Sequence, residues 1–202
     1  MSGSAQAESP ALEPEDEARA GFYGLIARLF HAHPDQQLIG QLVHAKAFEG
    51  QESALAVAWR DLVDACRSAF PVVLENEHTL LFVGTGRSLV TPYLSHYVPM
   101  ASKEKNLVDL RGQLITWGIA RKEQAFEPED HVAGVFEAMR FAIAVQHRSE
   151  TEQKVFFDRF LDAPALAFCD AVSASEKAVF YRLVAAFTRQ FLALEREAFE
   201  MM

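Results

Sequence analysis

The chain has 202 residues, of which half are apolar and 23% are charged, the balance of a single compact domain rather than a chain disordered throughout. With 19 basic and 28 acidic residues the formal charge is −9, which disfavours nucleic acid and anionic lipid as general partners and would draw a basic peptide.

Met1 to Glu17 lack the positive start and apolar stretch of an export signal. No apolar run is long enough to cross a bilayer, so a cytoplasmic protein without membrane insertion is expected. Residues up to Pro14 read as a disordered acidic tail (1–14), and the folded domain is expected over 15–202. From Glu15, Ala18, Phe22, Leu25, Ile26 and Leu29 recur at three- and four-residue spacing, predicting a helix. His33-Pro34-Asp35 interrupts it, and Asp35 is placed to cap a short helix reaching Ala45. A loop is expected from Phe48 to Ser53, with Gly50 inside it. Leu55, Trp59, Leu62, Val63, Cys66 and Phe70 form the clearest stripe, and Pro71 suits the first turn of a helix ending near Leu81.

Periodicity stops between Val83 and Ser102, where Gly84, Gly86, Pro92 and Pro99 alternate with Tyr93 and Tyr97. A loop this long and aromatic within a helical domain is expected to be ordered and to make contacts. Ser102 would cap the next helix, whose Leu107, Leu110, Leu114 and Trp117 face inward. A second loop, Phe126-Glu127-Pro128-Glu129-Asp130, leads to a helix carrying Val132, Val135, Phe136, Met139 and Ile143, with Asp130 as its expected cap. After a polar break at His147 to Thr151, a helix forms around Val155, Phe156 and Phe160, and Pro164 opens another. Ser173 and Glu176 have capping-box spacing, ahead of a long helix carrying Val179, Leu183, Phe187, Phe191 and Leu194. No alternating strand runs or repeats are seen, so the expected fold class is all-α: a single bundle of about eight helices with a long ordered central loop.

Candidate chemistry is sparse. Cys66 and Cys169 have no metal-ligand spacing and read as small core residues. Gly84-Thr85-Gly86-Arg87-Ser88 lacks the lysine and spacing of a phosphate loop. The seven histidines are scattered, and His31 and His33 lie two apart, which suits no helical metal pair. Asp130-His131 could do acid–base work as a small hydrolase or metal-dependent enzyme, or could simply cap and pack at a helix start.

Glu77-His78-Thr79-Leu80-Leu81-Phe82-Val83-Gly84, followed by Thr91-Pro92-Tyr93-Leu94-Ser95-His96-Tyr97, resembles the central signature of the TorD/DmsD/NarJ chaperone family. Glu127-Pro128-Glu129-Asp130-His131 is similar to that family's second signature. Phe22 to Phe30 before His33-Pro34-Asp35 resembles its opening helix, as Phe180-Tyr181 does its closing one. His78 stands where relatives commonly carry an aromatic, and Thr85 where they often carry proline.

The resemblance implies an all-α, non-catalytic chaperone with neither metal nor cofactor of its own. Its partner would be a molybdopterin oxidoreductase precursor, bound through its twin-arginine signal peptide or as the apoenzyme until cofactor insertion is complete. Carried onto this chain, the client groove comprises Leu81, Phe82, Pro92, Tyr93, Ser95 and Tyr97, with His78 in one wall and Asp130 and His131 at a neighbouring hinge loop. Both a monomer and a helix-exchanged dimer fit the family. A permanent structural subunit of a redox complex is the remaining reading, and it requires co-purification at fixed ratio.

Overall fold

A computed structural model describes residues 12–46, 53–84, 88–119 and 129–202. Most of the expected tail, most of the loop around Gly50, Thr85-Gly86-Arg87 and Phe126-Glu127-Pro128 lie outside these residues.

Helix α1 (Pro14–His31) starts with proline at its first position and Glu15, Asp16 and Glu17 in its first turn, and ends with Arg28 and His31. That arrangement places acids at the positive end of the helix dipole and bases at the negative end. α2 (Gln36–Val43) is capped by Asp35, whose carboxylate accepts from the Leu38 N–H at 2.7 Å. α3 (Ala54–Arg67) is capped by Ser53, and α4 (Pro71–His78) runs directly into a π-helical turn, Thr79–Val83. Two 3₁₀ turns, Leu94–Tyr97 and Met100–Ser102, precede α5 (Lys103–Thr116). α6 (Val132–Ala144) follows, then α7 (Glu150–Phe156), a second π turn (Phe157–Leu161) and α8 (Asp162–Ala174), and α9 (Phe180–Glu200) closes the described chain.

The fold is all-α. Among the described residues there are nine α-helices, but α7, its π turn and α8 form one unbroken run, leaving eight rods. The break expected at Pro164 is therefore absent. A proline cannot donate to the helical ladder, and the widened turn just before α8 absorbs that interruption.

α1 packs along α6, α9 lies between α3 and α8, and the 3₁₀ turn Leu94–Tyr97 rests on α8. Gly24 sets the closeness of the first pair, since a Cβ there would come within 2.7 Å of the Arg140 Cδ. Tyr23, Ile26 and Phe30 fill the centre of the α1 interface, while Phe22 and Leu25 sit at its edges and Ala18 is exposed. The inward stripe is thus rotated from the one expected. Along α9 the buried line runs through Tyr181, Val184, Thr188, Phe191 and Glu195, leaving Val179 and Leu194 exposed. Phe70 is also exposed, because α3 ends at Arg67 and its periodicity no longer aims that side chain inward.

Three expected caps differ. Asp130 does not cap α6; His131 does, its Nδ1 accepting from the Ala133 N–H at 3.2 Å. Ser173 lies inside α8 and donates to the Cys169 carbonyl, whereas the capping box is formed by Ser149 and Glu152. Ser102 makes no side-chain cap.

The core contains two free cysteines, Cys66 and Cys169. Burial pushes the Cys66 thiol up to about 11 and the Cys169 thiol higher still, so neither is a ready nucleophile. An ion pair is sunk among the apolar groups: Arg19 of α1 grips the Glu195 carboxylate of α9 at 2.8 and 2.9 Å. The Tyr23 hydroxyl donates to the same carboxylate at 2.8 Å.

Candidate functional site

Glu77 projects from the last turn of α4 and reaches the start of α9, 102 residues later in the chain. Its carboxylate accepts from the N–H groups of Val179, Phe180 and Tyr181 at 2.8, 3.2 and 2.9 Å. The first turn of a helix leaves such donors without intrahelical partners, and α9 has no cap from its own segment. A glutamate from another helix supplies it.

One residue on, His78 turns inward. Its Nε2 lies 3.4 Å from the Phe30 carbonyl, to which it donates, and its ring packs against Phe82 and Tyr181 at 5.3 and 5.6 Å. Burial lowers the His78 pKa, with His33, His131 and His31 adding like-charge repulsion against the bond to Phe30. The folded state therefore favours neutral His78. Its contribution to stability is fully present above the ordinary value of 6.5 and is lost as pH falls through the histidine range. In urea titrations from about pH 8 to about pH 5, His78→Phe should show a shallower loss of stability than the wild type. Equal slopes would reject His78 as a contributor.

The π turn at Thr79–Val83 closes with the Gly84 N–H donating to the Thr79 carbonyl at 2.7 Å. Gly84 has φ of 62°, a conformation that suits glycine. Within the turn, Leu81 and Phe82 are buried and Leu80 and Val83 are exposed. Phe82 meets Tyr181, Phe30 and Phe168 at ring distances of 5.0, 5.9 and 5.9 Å. The Val90 N–H donates to the Leu81 carbonyl and brings the loop back onto this turn.

From there the loop is tied to the beginning of α6. Leu94 N–H donates to the Asp130 carbonyl and Val132 N–H to the Pro92 carbonyl, both at 2.8 Å, forming an antiparallel bridge between Tyr93 and His131. The Asp130 carboxylate accepts from the Ser95 N–H at 3.1 Å, joining residues 35 apart in sequence. The Tyr93 and His131 rings meet edge to face at 5.7 Å. Tyr97 donates to the Thr91 carbonyl and packs on Phe168; burial pushes its hydroxyl up to about 12, so it stays protonated.

The structure thus brings the two signature segments together. Of the residues expected in a groove, His78, Leu81, Phe82, Pro92, Ser95, Asp130 and His131 are buried, and Tyr93 and Tyr97 are partly so. What faces outward is a set of which sequence patterning weighed only Leu80, in the stripe Leu80-Leu81-Phe82, as a groove residue rather than core. Phe70, Val72, Val73, Leu80 and Val83 are 68, 61, 55, 46 and 61% exposed; Leu89 is exposed too, as is Val179, whose N–H Glu77 holds. Val73 and Leu80 lie one turn either side of Glu77, so this apolar stripe borders the α4–α9 junction. Exposed apolar side chains gathered near one element are candidates for contact with a partner. The doublet Val72-Val73, on a helix otherwise polar on that side, is the sequence signal for the part of the stripe on α4.

The carboxylate of Asp130 and the Nδ1 of His131 each hold a backbone N–H, so both groups serve the loop-to-helix junction. Among the described residues no three His, Cys, Asp or Glu side chains gather as a metal site requires. No described helix is long and apolar enough to cross a membrane.

A sequence-family profile described as "Nitrate reductase delta subunit" matches residues 49–170, from just before α3 to within α8. No curated protein matches the chain.

Proposed function

The chain belongs to the nitrate reductase delta subunit family, and from that premise we propose that it holds the apo form of a molybdopterin oxidoreductase until cofactor insertion and folding are complete. That family is one of chaperones for molybdoenzyme maturation. The finer reading is that residues 15–202 act in the cytoplasm on the client's twin-arginine signal peptide or on another segment exposed before folding.

The observation that carries this reading is the exposed apolar stripe on α4 and its π turn, lying on the outside of the signature residues. An unfolded client offers an apolar segment; a folded one does not. Burying even a few side chains at roughly 25 cal/mol per Å² would discriminate between the two. Leu80, Val83 and Tyr93 make the contact in this reading. His78, Leu81, Phe82, Pro92, Ser95, Tyr97, Asp130 and His131 act from beneath or beside them, fixing where those side chains stand. The charge of −9 would favour a client segment carrying an arginine pair.

Leu80→Lys with Val83→Lys tests the reading. Both positions are exposed, so stability should move by no more than about 0.5 kcal/mol while client capture is lost. The check is affinity purification from the native cytoplasm, with the client identified by mass spectrometry. Recovery of a molybdopterin oxidoreductase precursor by the wild type and not by the variant is expected. Equal recovery would move the binding surface elsewhere.

A further inference from the structure

We propose that Glu77 is a positioning residue for client recognition, holding the apolar stripe of α4 and its π turn and Val179, the residue that leads into α9, as one continuous surface; this rests on the function proposed above. The geometry separates its role from ordinary capping. A cap needs only an acceptor on the preceding residue or two, and such a residue would leave α4 and α9 independent. Here the acceptor comes from α4 itself. One carboxylate oxygen takes the Val179 and Tyr181 N–H groups and the other takes that of Phe180.

The consequences fall on the surface. Val73 and Leu80 flank Glu77 on its own helix, and Val179 projects from the first residue it grips, 73% exposed. All three lie around one carboxylate. Behind them, the Tyr181 ring packs on His78 and Phe82, so the same junction joins the outer stripe to the buried aromatic cluster. Without the tie, α9 could keep its helix while its first turn shifted against α4, and a ligand spanning both would lose part of its footing.

The experiment compares Glu77→Ala, Val179→Asp, the two together, and Glu77→Gln. Val179→Asp offers α9 a local cap that does not involve α4. The probe is a fluorescein-labelled synthetic peptide with an arginine pair followed by an alternating leucine–alanine stretch, read by anisotropy. Unfolding in urea is measured alongside. Glu77→Ala should lose both stability and binding. Adding Val179→Asp should return the unfolding midpoint while binding stays about tenfold weaker than in Val179→Asp alone. Glu77→Gln keeps the oxygen that serves Val179 and Tyr181 and should retain most binding. Full recovery of binding in the double variant would reduce Glu77 to a cap and overturn the proposal.

Spin labels at Asn76→Cys and Arg182→Cys, both exposed positions, give a readout that needs no client. The distance between them should be narrowly distributed with Glu77 present and broad in Glu77→Ala, with or without Val179→Asp. An unchanged distribution overturns the positioning role even if the peptide binds. A wild-type protein that ignores the peptide overturns the signal-peptide form of the client reading instead, whatever the labels show, and the labels alone then decide the positioning role.

Discussion

Arg19→Met should lower the free energy of unfolding by about 3–5 kcal/mol, one of the two largest single-site losses expected in this protein. The guanidinium makes paired bonds to Glu195 and adds one to Gln153 at 3.1 Å and one to Asp16 at 2.8 Å. Glu195 has only 2% of its side chain exposed, against 14% for Arg19. Burial works against the charge on Arg19, but its bond to Glu195 and the charge of that carboxylate outweigh burial and hold it protonated. Burial and the same carboxylate push the Tyr23 hydroxyl well above its ordinary range, so it remains a donor. Removing the arginine therefore strands a buried carboxylate with a single hydroxyl donor. Arg19→Met together with Glu195→Gln should lose markedly less than Arg19→Met alone, because glutamine carries no charge and still accepts from Tyr23. Urea unfolding of the four proteins in a double-mutant cycle checks this. Simple additivity would mean that water reaches Glu195 and that the pair is not buried in the energetic sense.

Phe82→Ala should cost about 3–5 kcal/mol through the cavity it leaves. The ring is 6% exposed and is enclosed by Phe30, Phe168, Tyr181 and His78. Loss of client capture in this variant would accompany loss of stability, since the π turn that presents Leu80 and Val83 is anchored by Phe82. Phe82→Leu, which keeps most of the volume, should recover most of both. The contrast with Leu80→Lys and Val83→Lys is the useful one: binding should be lost there with stability nearly intact. If Phe82→Ala removed binding while the urea midpoint stayed put, Phe82 would have to reach the client directly, and the expectation of a groove lined by it would return.

The helices and their order were legible in the sequence, because a 3.6-residue apolar period, prolines at first turns and caps such as Asp35 are local signals. The inward sides of α3 and α6 were read as the structure has them, but elsewhere the stripes were placed less well. Ala18, Phe70, Val179 and Leu194 were expected within inward stripes and are exposed. A helix wedged between two neighbours buries a wide arc, and periodicity finds the arc without locating its centre. The exchange of roles between Asp130 and His131 has a similar cause. Both residue types can accept from a helix's first N–H groups, and only the path of the loop at Ser95 assigns the carboxylate to one junction and the imidazole to another.

Composition and motif order by themselves determined that the chain is an acidic, all-helical member of a chaperone family, since those properties are sums over residues or matches along the chain. The tertiary structure alone decided that the signature is mostly buried, that its outward neighbours form an apolar stripe, and that Glu77 caps a helix more than a hundred residues away. Burial and long-range capping depend on which elements meet. A sequence records what each residue can do, and its partners are chosen only when the helices pack.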